Sequence, residues 1–572
     1  MKLAFLKKIR VILSLLFLLS ISFLFIDFRS LIPPKYFDSF LYLQFIPSLI
    51  DSLNGLTFTT AGFIFILILT FLLGRVYCSI ICPLGTLQDI FSNIYRRFRK
   101  KKYYHLLKSY SWIKYSLLTL VILIFFSGSL IGIYLLDPFS NFGRIISAFV
   151  KPLIMTLNNA AAFSFENFGI YFLYPFDVKG FTFIKIIFPL FFLLLVFIMS
   201  VKSGRLFCNT VCPVGTLLGL ISKVSFLRIG IAEDKCKSCS LCERVCKAGC
   251  IDRKNKSLDF SRCVSCYNCL TVCPSDGIGF GNYSKNKEGI SETDYNKREF
   301  IQKVSVYLLG LTGISLSQVK IIPKKESTKP IYKKCPVTPP GSKSIKHFTS
   351  RCTACHLCVS ACPTQVLQPS FLEYGFTGML QPMMEYKTSF CNFECIVCTE
   401  VCPTGAIENI LPDKKKLTQL GKAKFVKENC IVYTENTVCG ACSEHCPTKA
   451  VNMVPYLPDE QSLLHNSYRR HAELAAFGKP RSQSERVSAS FSQVKKILNQ
   501  VQDDKYGRTD KTLRIPEVKE EYCIGCGACE YACPTKPYKS IYVEGNPIHK
   551  VAKKPEEKEL EKEVDYKEDF PF

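Results

Sequence analysis

Apolar and polar positions are segregated along the first 201 residues, where long apolar runs alternate with charged connections. Four runs stand out, at 11–26, 56–73, 115–136 and 181–201. Wound as helices, they are apolar on every side and leave no polar face for water. About 20 such residues cross the hydrocarbon core of a bilayer, so the pattern predicts four membrane-spanning helices. Lys185 lies near the start of the fourth run, where a long basic side chain reaches the interface. Beyond residue 222 the long apolar runs give way to cysteines at short, regular spacing among turn residues.

Charge orients the predicted helices, because Lys and Arg concentrate in cytoplasmic loops. Lys2, Lys7, Lys8 and Arg10 precede the first run, and 75–108 holds eight Lys/Arg against one acid, Asp89. In 28–55 and 137–180 basic and acidic residues are equal in number, so these read as outer loops. Both ends of the four-helix unit therefore face the cytoplasm. The formal net charge of +26 over 572 residues is explained in part by this topology, and no motif supports a nucleic-acid partner. No small-residue cleavage site follows the first run, which reads as a retained helix.

Two loops repeat. Gly74-Arg75-Val76-Tyr77-Cys78-Ser79-Ile80-Ile81-Cys82-Pro83 recurs as Gly204-Arg205-Leu206-Phe207-Cys208-Asn209-Thr210-Val211-Cys212-Pro213. Each follows an even-numbered predicted helix, so the unit reads as a duplicated helix pair, each pair ending in a C-x3-C-P loop. A twofold axis along the membrane normal would bring Cys78, Cys82, Cys208 and Cys212 together. Four such thiols hold a metal or cluster, form redox-active disulfides, or simply line two structural loops. No histidine lies in a predicted span, which argues against haem b.

Six further motifs carry the spacing of ferredoxin-type iron–sulfur ligands. They are Cys236, Cys239, Cys242 and Cys246; Cys263, Cys266, Cys269 and Cys273; Cys352, Cys355, Cys358 and Cys362; Cys391, Cys395, Cys398 and Cys402; Cys430, Cys439, Cys442 and Cys446; and Cys523, Cys526, Cys529 and Cys533. All but the first end in Cys-Pro. A zinc site would need neither the third cysteine nor this proline. Each motif supplies four thiolates, so six [4Fe–4S] clusters are expected. In two-cluster ferredoxins the fourth cysteine crosses to the other cluster. Cys236, Cys239 and Cys242 are therefore expected to join Cys273, and Cys263, Cys266 and Cys269 to join Cys246, with Cys250 as a substitute for Cys246. In the later four motifs, crossing is expected to pair the first with the fourth and the second with the third. Cys352-x2-Cys355-His356 also fits haem c attachment, but haem would strand Cys358 and Cys362, so His356 reads as a cluster neighbour or surface residue. Cys335 has no motif. The fold class that follows is an α-helical membrane bundle with four spans plus α+β ferredoxin-like Fe–S domains.

The expected domains are a membrane unit at 1–222, a cytoplasmic two-cluster unit at 223–285 and a four-cluster unit at 320–550. Between them, 297–319 reads as an export signal or a fifth membrane segment, since Lys297-Arg298 precedes a short apolar run. The cysteine-free stretch 457–515 reads as an insertion, and 551–572 as a charged tail.

This order of parts resembles two subunits of periplasmic nitrate reductase systems joined in one chain. Residues 1–280 resemble NapH, with two C-x3-C-P loops before two cluster motifs. Residues 297–550 resemble NapG, with an export-type leader, Pro339-Pro340-Gly341 and the long first gap from Cys430 to Cys439. The fusion, the Lys-Arg leader, Cys250 and the insertion depart from that pattern. The resemblance implies a multi-pass protein of the bacterial inner membrane with residues 320–572 in the periplasm. It implies a quinol dehydrogenase that oxidises menaquinol or ubiquinol from the membrane pool. A periplasmic cytochrome c or reductase would then take the electrons. Arg75 and Arg205, beside the repeated cysteines, are candidates for ordering the quinol head group, with interface anchoring as their plain alternative. Two other readings compete: a polyferredoxin conduit from a cytoplasmic donor, and an assembly or regulatory protein whose C-x3-C-P thiols serve a partner enzyme.

Overall fold

The computed structural model describes residues 3–281, 329–456 and 513–554, apart from short stretches at 30, 34–35, 55–59, 100–102, 105–110, 180–182, 233 and 254. The export-like segment at 297–319, nearly all of the 457–515 insertion and most of the 551–572 tail lie outside the described residues.

The N-terminal part is built from α1 (Leu3–Ile26), α2 (Thr60–Leu73), α3 (Pro83–Arg99), α4 (Ser111–Phe126), α5 (Pro138–Glu166), α6 (Phe183–Ser203) and α7 (Pro213–Ser222). Three helices are long and apolar enough to cross a membrane: Phe5–Ile26, Pro138–Glu166 and Ile186–Ser203. The residues of the second and third expected spans form shorter apolar helices, Ala61–Leu73 and Ser111–Phe126. Large apolar side chains stay exposed along all of these helices, among them Leu19, Ile68, Leu123, Leu157 and Phe191. Exposed apolar surface on this scale suits a lipid or protein neighbour, not water.

Two expectations change here. The run at 115–136 is not one helix. Gly128 takes φ +85°, and Ser129 N–H and Gly128 N–H donate back to Ile124 and Phe125, a glycine-centred helix stop. The segment 137–180, expected to be an outer loop, instead opens with α5. Asp137 caps that helix by accepting from the Ser140 N–H at 2.8 Å, and Pro138 occupies its first position. Ser140, Asn141, Arg144 and Lys151 break its apolar pattern, yet all four are buried.

The cysteine-rich parts are small antiparallel pairs flanked by short helices. Before the first motif, Arg228–Ile231 pairs with Ile278–Gly281 after the second. Ile251–Asp252 pairs with Ser257–Leu258 between them. In the later unit, Leu367–Pro369 pairs with Pro382–Met384, and Val451–Pro455 pairs with Arg514–Val518. Thr418–Phe425 and Ile541–Val551 join the two halves. Each hairpin therefore links motifs that are neighbours in sequence, and this decides which cysteines can meet.

The first helix touches both cysteine-rich parts. Near its start, Leu6 packs on the core of the 228–281 unit. Near its end, Phe25 meets Gly143, whose other neighbour is the Cys355 carbonyl, and the helix packs on Leu357–Ala361. At 1.5 Å per residue α1 is about 36 Å long, slightly more than the hydrocarbon core of a bilayer.

Candidate functional site

Cysteines from paired motifs gather around common cavities. One is lined by Cys236, Cys239, Cys242 and Cys273, as crossed spacing predicts. A second is lined by Cys263, Cys266 and Cys269 with both Cys246 and Cys250. The Cys250 Sγ lies 3.6 Å from that of Cys246 and also bonds to Cys263, so the leftover cysteine is part of this set.

In the later unit the expected pairing is overturned. Cys352, Cys355 and Cys358 share a cavity with Cys402, and Cys430, Cys439 and Cys442 share one with Cys533. Conversely, Cys362 lies within electrostatic reach of Cys391, Cys395 and Cys398. Cys446 stands likewise toward Cys523, Cys526 and Cys529. The first motif thus crosses with the second and the third with the fourth. The hairpins explain this, since each spans adjacent motifs.

The loops are shaped for wrapping a compact anion. In the four motifs of standard spacing, the residues on either side of the second cysteine have positive φ: Ser238 and Ser240, Ser265 and Tyr267, Ala354 and His356, Gly525 and Gly527. Left-handed backbone costs a non-glycine residue roughly 1–2 kcal/mol, and such strain concentrates at binding sites. Here it curls the chain around the sulfurs. A second feature was not read from the sequence. The hydroxyl two residues after the last cysteine lies 3.1–3.8 Å from its Sγ at Cys273–Ser275, Cys362–Thr364, Cys402–Thr404, Cys446–Thr448 and Cys533–Thr535. The signal was available as Cys-Pro-Ser/Thr. Backbone N–H groups of Ala354, Ile407, Ala423 and Ser540 also donate to cysteine sulfurs at 3.4 Å. Thiolate donors with this many N–H and O–H neighbours fit iron–sulfur clusters, whose potentials follow such bonds.

The two C-x3-C-P loops face each other, and each arginine reaches the other loop. Arg75 donates to Asn209 Oδ1 at 2.8 Å, to the Cys208 carbonyl at 3.1 Å and to the Ser261 carbonyl at 3.0 Å. Arg205 donates to the Cys78 carbonyl at 2.6 Å and to Asp89 Oδ1 at 2.9 Å. Both arginines are fully buried, which places them inside the protein and not at a lipid-facing opening for a head group. Glycines leave room for the incoming guanidiniums: a Cβ on Gly85 would lie 2.5 Å from Arg205 Nη1, and one on Gly215 2.9 Å from Arg75 Nη2. Asp89 also takes Lys247 at 3.1 Å and Arg10 at 3.4 Å. Burial works to raise its pKa, but Arg205, Lys247 and Arg10 outweigh it and hold the carboxyl below the ordinary carboxylate range.

His356 is buried, with Nε2 donating to the Leu380 carbonyl at 2.8 Å. Burial, then Arg144, pushes its pKa down to about 3, so the imidazole is neutral. It lines both the Cys352 cavity and a larger one against α5.

The chain matches a 4Fe-4S binding domain over residues 56–102 and again over 186–231. It matches a 4Fe-4S dicluster domain over 351–407, which spans the first and second motifs of the later unit, and a further 4Fe-4S binding domain over 516–539. An uncharacterized protein of Methanocaldococcus jannaschii is 28% identical over 225 residues, covering 38% of this chain and 70% of its own length. The methylamine utilization ferredoxin-type protein MauM of Methylophilus methylotrophus is 26% identical over 241 residues, 41% of this chain and 81% of MauM. The ferredoxin-type protein NapF of Escherichia coli is 27% identical over 208 residues, 36% of this chain and 85% of NapF. No solved structure matches. With its 4Fe-4S binding domains, the chain is a ferredoxin-type iron–sulfur electron-transfer protein related to the NapF and MauM ferredoxin-type proteins.

Proposed function

We propose that the protein is a membrane-bound iron–sulfur quinol dehydrogenase, a NapH–NapG-type fusion that passes electrons from menaquinol or ubiquinol to a periplasmic cytochrome c or reductase. In this reading the helical part at 1–222 is a four-span bundle with a duplicated helix pair. The unit at 223–285 is cytoplasmic and the unit at 320–550 periplasmic. The basic residues near the start of α1 support the first placement, and the length of α1, with one cysteine-rich part at each end, supports the second. Six cysteine sets would hold [4Fe–4S] clusters: Cys236, Cys239, Cys242 and Cys273; Cys263, Cys266, Cys269 and Cys246 or Cys250; and the four crossed sets of the later unit. Each cluster, when bound, takes or gives one electron.

The observation that carries the quinol reading is a cavity of about 110 Å³ between α5, α6 and the first motif of the later unit. Met155, Ile186 and Pro189 offer apolar contact for a ring, while Ser147, Lys151 and His356 supply polar groups. Pockets of this kind, apolar with a few convergent polar groups, are where small molecules bind. His356 lies directly between Cys355 and Cys358 in sequence, so a bound ring sits beside that cysteine set. Oxidation of the quinol to quinone releases two electrons and two protons, and the one-electron capacity of each cluster divides the pair.

Anaerobically purified protein in detergent is expected to lose visible cluster absorbance on addition of menaquinol. Met155→Trp, which fills the cavity, is expected to abolish that bleaching while dithionite still bleaches the full amount. Bleaching by menaquinol at the wild-type rate in Met155→Trp would remove the site, and no bleaching of the wild type would remove the activity. A second reading, entry of electrons from a cytoplasmic donor, is favoured by the accessibility of the first set, in which Cys239 is exposed and Cys236 half-buried. Reduction by a soluble ferredoxin but not by menaquinol would select it.

A further inference from the structure

We propose that Cys250 is a thiol hydrogen-bond donor to the Cys246 sulfur, and that it raises the potential of a cluster to which Cys246 is the fourth ligand. The inference rests on the reading that Cys263, Cys266, Cys269 and a fourth cysteine hold a [4Fe–4S] cluster. It does not depend on quinol as the source of electrons.

Five cysteines line this cavity, Cys246, Cys250, Cys263, Cys266 and Cys269, whereas a cube takes one thiolate at each of four irons. Backbone geometry singles out the extra one. The third residue after Cys246, Cys273, Cys362, Cys402 and Cys446 has positive φ in every case: Gly249 at +56°, Asp276 at +50°, Gln365 at +56°, Gly405 at +64° and Lys449 at +50°. At Gly249, Gln365 and Lys449 the N–H donates back to the carbonyl of that cysteine at 3.1–3.2 Å. The turn after Cys246 is therefore the turn that follows the last cysteine of the other motifs, and Cys246 stands where they place a ligand. Cys250, four residues on, stands where those motifs have Val366, Ala406 and Ala450. Those three are apolar and 0–1% exposed. Ala406 lines the Cys352 cavity as Cys250 lines this one. A thiol thus occupies a wall position that is inert elsewhere.

A missing donor gives that thiol a use. In the other five motifs, a Ser or Thr hydroxyl two residues after the last cysteine lies 3.1–3.8 Å from its Sγ. Cys246 has no such hydroxyl, because the residue two on is Ala248. Its Sγ meets the Cys250 Sγ instead, at 3.6 Å, within the range of those five contacts. Cys250 is 3% exposed and not joined in a disulfide. With Cys246 bound to iron as thiolate, the proton between the two sulfurs belongs to Cys250, whose S–H is a weak donor. The same S–H reaches Cys263, so both of its acceptors belong to the set.

Position makes the potential of this set matter. Cys246 is the last cysteine that lacks a following Pro, and Lys247 takes that place. Lys247 Nζ meets Asp89 at 3.1 Å, and its carbonyl accepts the Arg205 N–H at 3.1 Å. Ser265, beside Cys266, donates to the Leu73 carbonyl at 3.1 Å. The set therefore adjoins the helical part at the C-x3-C-P loops. A hydrogen bond to a ligand sulfur stabilises the reduced, more negative cluster, so Cys250 favours electron entry at this junction.

The test is an EPR-monitored redox titration of the full-length chain, purified anaerobically in detergent, with iron measured per chain. Cys263→Ser identifies the signal of this set and is expected to lose about four iron per chain. Cys250→Ala places there the residue found at Ala406 and Ala450. It is expected to keep all its iron while the midpoint of that one signal moves to more negative potential. Cys250→Ser restores a donor and is expected to bring the midpoint back toward the wild-type value. Loss of about four iron in Cys250→Ala would make Cys250 the ligand and overturn the proposal. An unmoved midpoint in Cys250→Ala, or a Cys250→Ser midpoint as negative as that of Cys250→Ala, would overturn it too. Unchanged iron in Cys263→Ser would remove the cluster itself, a different failure from an unmoved midpoint with that iron lost.

Discussion

Asp89→Asn tests the lock that joins the helices to the 228–281 unit. The Asp89 carboxylate receives Arg205 Nε at 2.9 Å, Lys247 Nζ at 3.1 Å and Arg10 Nη1 at 3.4 Å, with every side chain at most 9% exposed. At an effective dielectric constant of about 20, each pair is worth ~5 kcal/mol before desolvation. Desolvation offsets most of that, and removing one partner of a buried pair costs ~3–5 kcal/mol because the other charge is left unpaired. Asparagine keeps the shape, so the loss is electrostatic. The readout is hydrogen exchange at Arg205, Phe226 and Leu227, whose N–H groups donate to Lys247, Phe71 and Leu72 across this junction. Their exchange should speed up on the order of a hundredfold to a few thousandfold, at tenfold per ~1.4 kcal/mol. The carboxyl is held below its ordinary range in the folded state. Its contribution is therefore complete above the unfolded pKa of about 4 and fades as pH falls through the lower folded value. The effect of the substitution must then be the same at about pH 6 and about pH 8. A change under tenfold, or a clear difference between those two pH values, would refute the reasoning.

Two more tests bear on the later unit. If Cys402 shares a site with Cys352, Cys352→Ser and Cys402→Ser each remove the same EPR signal, and the double variant removes nothing further. Loss of two signals in the double variant would restore separate ligation. Gly527 has φ +79°, and a Cβ there would lie 2.0 Å from the Tyr386 ring. Gly527→Ala should combine a left-handed penalty of roughly 1–2 kcal/mol with overpacking of roughly 1–3 kcal/mol. Lower yield and loss of the signal assigned to Cys523, Cys526, Cys529 and Cys446 are expected, and normal iron content would contradict it.

The cysteine motifs were legible because iron–sulfur ligation fixes local spacing, and the structure draws four of the six sets around common cavities and the other two within electrostatic reach. Which motif crosses with which was not legible, because it depends on hairpins such as Val451–Pro455 with Arg514–Val518, joined across a long insertion. Apolar runs announced the helical part, but run length alone misjudged its elements. Gly128 stops a helix that hydropathy would continue, and Asp137-Pro138 starts one whose buried Ser140, Asn141 and Arg144 lower its apolar score. Both signals were present as local punctuation, overridden by composition. Arg75 and Arg205 were visible as a repeated residue, yet their exchange between loops is a tertiary property.

That exchange bears on why the repeat is useful. In a single C-x3-C-P loop the arginine would lose the acceptors that it finds on the other copy. Facing copies complete the set: each arginine finds the other loop's carbonyl, and the glycine of that loop leaves room for the guanidinium. The arrangement also fixes where the cysteines stand along α1. Arg10 bonds to the Ser79 carbonyl, one residue from Cys78, so the thiols are held at the level of the helix that the 228–281 unit touches. Among the described residues, the later unit, at the other end of α1, is linked to them through Tyr77, Asp137 and Arg144. Substituting that polar path should therefore slow exchange of electrons between the two parts without altering either set of thiols. Arg144→Gln is the sharpest case, since it removes contacts to the Thr353 and Ala354 carbonyls and leaves every cysteine in place.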